Sequence, residues 1–146
     1  MASVVKRRGR VQVRLDEAER TALAGIVAGF GEDVPVVSRA TYEDAEMQAE
    51  YERWVRPEIA SGARADLDVI RDSLDAGDDV LVLTEAQVHA WLRGSNQLRL
   101  VAGDRLNVTE DGWEQTATDE MLGRPEYGVL MALGWLQEEL IAALET

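Results

Sequence analysis

His89 is the one imidazole in the chain and cysteine is absent, so the usual chemistry-bearing groups are few from the outset. A single histidine, with only Glu85 four positions earlier, lacks the second histidine or thiolate that zinc sites use. No thiol is available to attack, to form a disulfide or to bind a metal. Ser95, in Arg93-Gly94-Ser95-Asn96, falls inside the apolar periodicity of a helix with no Gly-x-Ser-x-Gly elbow around it. That is the setting of a small packing residue rather than of a nucleophile. Carboxylates abound, so adjacent pairs such as Asp78-Asp79, Asp119-Glu120 and Glu138-Glu139 arise by number alone. A catalytic pair needs two environments that push the pKa values apart. Gly29-x-Gly31 follows a helix instead of opening one, and no calcium-loop order Asp-x-Asp-x-Asp-Gly occurs. The expectation is a protein that is not an enzyme, with no catalytic residue, metal or cofactor.

The residues that do carry a signal are charged. Lys6, Arg7, Arg8, Arg10 and Arg14 stand in the first 15 residues with no acid among them, whereas everything after holds ten arginines against 28 acids. Residues 1–10 therefore read as a basic N-terminal tail, and 11–146 as one acidic domain. A field of that sign repels DNA phosphates and attracts basic surfaces over roughly a Debye length, about 8 Å in physiological salt. The expected partner is a protein with a basic surface, with DNA second. Lys6, Arg7, Arg8 and Arg10 are the candidate contact residues of the tail. Trp113, alone in a polar acidic stretch, is the candidate aromatic anchor.

The elements that position these residues follow from period and punctuation. Val11, Val13 and Leu15 alternate with Arg10, Gln12 and Arg14, the period of a half-buried strand. Asp16-Glu17-Ala18-Glu19 is a capping box that opens a helix to about Phe30, with Leu23, Ile26, Val27 and Phe30 inward. Thr41 with Asp44 caps a second helix carrying Met47, Tyr51, Trp54 and Val55. Pro57 begins a third, with Ile59, Ala63, Leu67, Ile70 and Leu74 buried. Asp79–Leu83 is a second strand, and Thr84-Glu85-Ala86-Gln87 is another capping box. It opens a fourth helix with Val88, Trp91, Leu92, Ser95, Leu98, Ala102 and Leu106 along one stripe, to about Val108. After a loop over 109–124, Pro125 starts the last helix.

The last helix turns Val129, Leu133, Leu136, Leu140 and Leu144 inward, while Leu130, Met131, Trp135 and Ile141 widen its apolar surface enough for either a central position or a second subunit. Trp54, Trp91 and Trp135 are expected in the core, with Met47 and Met131 buried. The fold class is mainly α: a bundle of about five helices with a small two-stranded β-sheet, formed when the two distant strands pair. No apolar run reaches the roughly 18–20 residues of a membrane span, and a cytoplasmic location is expected.

Several stretches together resemble a known family: Arg7-Arg8-Gly9 leading into Val11-Gln12-Val13-Arg14-Leu15-Asp16, then Ala90-Trp91-Leu92-Arg93, Asn96-Gln97-Leu98-Arg99-Leu100-Val101, Asp104-Arg105-Leu106, Thr109-Glu110 and Gly134-Trp135-Leu136-Gln137-Glu138. The chain is similar, nearly end to end and most strongly from residue 84, to an actinobacterial family of oxidation-sensing regulators. The resemblance implies a transcriptional regulator of the oxidative-stress response that contacts a sigma factor or RNA polymerase. The alternative, from the family's gene neighbourhood, is a protease adaptor or scaffold. Redox sensing in that family is attributed to a cysteine pair. This chain has no cysteine to carry it, so the resemblance implies the regulatory role without a thiol switch.

Overall fold

The computed structural model describes residues 2–33, 44–50, 53, 56–76, 78–106 and 123–146. The chain opens with strands β1 (Ser3–Arg7) and β2 (Arg10–Arg14), followed by helices α1 (Glu17–Gly31), α2 (Ala45–Glu50) and α3 (Arg56–Asp75). Strand β3 (Val80–Leu83), α4 (Glu85–Arg105) and α5 (Pro125–Glu145) complete it.

The sheet has three strands, not two, in the order β1-β2-β3, antiparallel throughout. The expected partnership of the strands around residues 11 and 81 is present, with Val13 opposite Leu81 and Val11 opposite Leu83. Leu15 N extends it by donating to Asp79 O at 2.8 Å. The addition is β1. Residues read as a basic N-terminal tail fold back on β2 through a two-residue turn at Arg8 and Gly9, whose φ angles of +52° and +78° are those of a type I′ hairpin.

Strand alternation then sorts the side chains. The rows Val4–Val13–Leu81 and Lys6–Val11–Leu83 face the helices, where Val11, Val13, Leu81 and Leu83 are buried. The rows Ser3–Arg14–Val80 and Val5–Gln12–Val82 face away, and Val5 and Val82 are exposed there.

Both capping boxes form. Asp16 accepts from Glu19 N at 2.8 Å and Glu19 returns the bond to Asp16 N at 3.0 Å. Thr84 and Gln87 do the same at 3.1 and 2.8 Å. Each box satisfies amides that the first turn leaves without a carbonyl partner. The links after β2 (Leu15 and Asp16) and after β3 (Thr84) thus become sharp strand-to-helix corners.

Helix α4 is the centre of the packing. Val88, Trp91, Leu98, Val101 and Ala102 are buried along it, with α3 on one side and α5 on the other. Gly94 lets α3 approach, since a Cβ there would lie 2.7 Å from Ile70 Cδ1. Arg93 locks the same crossing with two 3.0 Å bonds to the Asp66 carboxylate. On the opposite side Arg99 Nη1 donates to Gln137 Oε1 at 2.7 Å, and Gln137 Nε2 donates to Leu92 O at 3.3 Å. At the far end of α4, Arg105 stacks 4.3 Å over the Phe30 ring, donates to Gly29 O and pairs with Asp33. That cation covers the carbonyl end of α1, where positive charge is favoured.

Of the stripes read as inward, Ala63, Leu67, Ile70 and Leu74 are buried on α3 and Val129, Leu133, Leu136 and Leu140 on α5, Leu144 is partly buried, and the side chain of Ile59 lies outside the described residues. Trp135 departs from expectation: it is 40% exposed rather than core. A helix apolar on nearly all sides carries no direction in its pattern. Contact with α4 and β1 settles which arc goes inward, admitting Leu130 and leaving Met131, Trp135 and Ile141 out. Met47, also expected buried, is exposed on α2. Tyr51, Trp54, Val55 and Trp113 lie outside the described residues. Among the described residues no helix is long and apolar enough to cross a membrane.

Candidate functional site

Lys6, Arg7, Arg8 and Arg10 of the candidate contact residues meet on the hairpin, and Trp113 lies outside the described residues. Those four hairpin residues and Arg14 are all exposed, and the arginines have no ion-pair partner among the described residues. Arg7 stands directly opposite Arg10 across the two strands, and Arg8 occupies the turn between them. Two like charges in one cross-strand pair oppose pairing, and a bulky residue at positive φ is strained. The hairpin therefore holds its cations together at a cost in stability.

Alternation places Arg7, Arg10 and Arg14 on the outer face with Val5, Gln12 and Val82. Lys6 belongs to the inner row and reaches sideways, its Nζ donating to Thr146 O at 3.4 Å. The outcome is a solvent-facing sheet surface with Val5 and Val82 on either side of Gln12 and guanidinium groups along it. Such a surface suits carboxylate or phosphate groups, which planar guanidinium recognises in pairs.

The opposite charge lies on the helices. Helix α5 carries Glu126, Glu138, Glu139 and Glu145 and no lysine or arginine. At the start of α1, Asp16, Glu17 and Glu19 gather three carboxylates. The Asp16 carboxyl is held below the ordinary aspartate range, first by the hydrogen bond from the Glu19 backbone amide. The one base on α1, Arg20, donates to Asp79 at 2.9 Å.

Between these helices runs an apolar groove of about 250 Å³, walled by Leu23 and Ile26 of α1 and by Leu133, Trp135 and Leu136 of α5, with Leu15 among its lining residues. Sequence reasoning did not reach this groove, because its walls stand more than 100 residues apart and each reads separately as an inward stripe. The usable signal was the surplus of apolar residues on the last helix, which exceeds what one buried face needs.

The residues weighed for catalysis are dispersed. His89 is exposed on α4, 3.8 Å from Glu85 one turn earlier, a surface pair. The Ser95 hydroxyl is buried against the core and has no hydrogen-bond partner among the described residues. No group of three or more His, Asp or Glu among the described residues is placed to hold a metal ion.

Comparison with known proteins adds the following. A protein of Mycobacterium leprae (strain TN) named "Putative oxidative stress regulator AosR" is 34% identical over 88 residues, covering 60% of this chain and 40% of that protein. The match thus spans less than half of the relative's length. No solved structure matches the chain. A family profile described as Domain of unknown function (DUF2017) matches residues 34–144, which include β3 and α2 to α5 but neither the basic hairpin nor α1. With most of its length matched in this way, the chain belongs to the DUF2017 family.

Proposed function

We propose that this chain is a regulator of the oxidative-stress response that works without catalysis, through contact with a sigma factor or an RNA polymerase subunit. The observation that carries the reading is the 34% identity over 88 residues to a protein named as an oxidative stress regulator. The surfaces described above support contact as the means, with cations collected on one sheet face and carboxylates and exposed apolar side chains on the helices. The acidic helices bind a basic surface of the transcription machinery, and the hairpin assists by holding an acidic patch of the same partner. With no thiol to oxidise, a response to oxidants reaches the protein through its partner or through methionine, of which Met47 and Met131 are exposed.

Purified chain immobilised at low salt and exposed to purified RNA polymerase core and individual sigma factors tests this reading. Recovery of one component, lost as salt is raised, is the expected result. Recovery of none, together with co-purification of proteolytic machinery and altered substrate turnover without a transcriptional change, would establish the adaptor role instead.

A further inference from the structure

We infer that the groove between α1 and α5 seats an amphipathic helix of a partner protein whose apolar stripe is flanked by lysine or arginine. This rests on the reading of the chain as a protein-binding regulator and gives that binding a place and a chemistry. The groove lining is almost wholly apolar, and Trp135 stands half out of it. A tryptophan so placed is the residue type that most often anchors an interface. The fold has no use for its exposure, since the inward arc of α5 is already filled by Val129, Leu133, Leu136 and Leu140.

At about 250 Å³ the groove is smaller than the roughly 300–1,000 Å³ of ligand pockets. It lies between two helices, the setting in which an apolar helix stripe docks at three- and four-residue spacing.

Charge selects the occupant. Glu17 adjoins the groove beside Ala22, and Glu139 follows Trp135 and Leu136 by one turn of α5; Glu19 also lines it, with its carboxylate bonded to Ala2 N and Asp16 N. No lysine or arginine lies among the lining residues. A second copy docked face to face would set these carboxylates against their own kind, whereas a helix with basic flanks meets them with opposite charge.

The probe is a synthetic helix of about 18 residues with a leucine stripe and lysine flanks, long enough to be helical when bound. Its affinity is measured by calorimetry against the full chain, Ala132→Arg and Trp135→Ala. Ala132 is an exposed lining residue, so the arginine fills and charges the groove without entering the core, and an unchanged melting temperature verifies this. The inference predicts about a tenfold or greater loss of affinity in both variants, equivalent to about 1.4 kcal/mol or more, and no binding of the same helix with glutamate flanks. Equal affinity for the full chain and both variants overturns it, because the peptide then adheres to the acidic surface at large. Sedimentation showing a dimer that Ala132→Arg dissolves also overturns it, assigning the groove to a second copy.

The polymerase and sigma-factor capture, repeated with Ala132→Arg, separates the two claims. Undiminished capture removes the groove and leaves the regulatory reading standing. Groove-dependent peptide binding with no component captured supports the groove and removes the transcriptional reading.

Discussion

Gly94 and Ser95 are neighbours on α4 that respond to alanine in opposite ways. At Gly94 the added methyl meets Ile70 Cδ1 at 2.7 Å inside the core. Overpacking of that kind costs about 1–3 kcal/mol, more than the roughly 1 kcal/mol of helix propensity that alanine returns. Gly94→Ala should therefore lower stability by about 1 kcal/mol in denaturant titration, while Gly62→Ala on α3, where nothing lies within 4 Å, should raise it by a similar amount. Ser95→Ala removes a buried hydroxyl that has no partner among the described residues and should stabilise by about 1 kcal/mol. If function fell while stability rose, the hydroxyl would have a role beyond packing.

Asp16 supplies a pH test. Its carboxyl is held below the ordinary range by the capping bonds, so its contribution is complete above the unfolded-state value, about 3.9, and is lost as pH falls through the lower folded value. Replacing it by asparagine, which keeps an acceptor but cannot titrate, should flatten the acid limb of a stability-versus-pH curve.

At the scale of elements, the hairpin sets stability against charge. Asparagine tolerates the left-handed conformation that Arg8 must adopt and is the favoured residue before glycine in a type I′ turn. Arg8→Asn should stabilise the protein by a few tenths to about 1 kcal/mol and weaken capture of an acidic partner, as read by a melting curve and a salt-titrated binding assay on the same sample. The hairpin also marks where sequence reading stopped. The strand after it was legible because Val11, Val13 and Leu15 alternate cleanly, and the two corners were legible because Asp16–Glu19 and Thr84–Gln87 are local chemistry. Strand β1 was not, since Lys6-Arg7-Arg8 looks like a solvated run and only pairing with β2 reveals Val4 as core-facing. The candidate bases were legible as charges but not as a turn and a sheet face. Trp135 was misplaced because α5 is apolar on nearly every side and only its neighbours decide which way it rolls.

For the molecule as a whole, the separation of charge between sheet and helices predicts how binding should respond to mutation. Reversing Arg7, Arg10 and Arg14 to glutamate leaves the core untouched, since all three are exposed on the outer face. It should slow association with the partner at low salt far more than at high salt, measurable by stopped flow. Deleting residues 2–8 is a different experiment. It removes a strand that packs on α5 and pairs along all of β2, so lost stability rather than lost charge should dominate the outcome. That contact between β1 and α5 has a further consequence in time. The strand is made more than 100 residues before α5 leaves the ribosome, and non-local pairings of this span close late. Until residue 125 has emerged, the inner face of the sheet lacks one of its covers. Nascent chains stalled before that point should therefore be cut by a brief protease pulse within residues 2–14, and chains released past residue 145 should resist it.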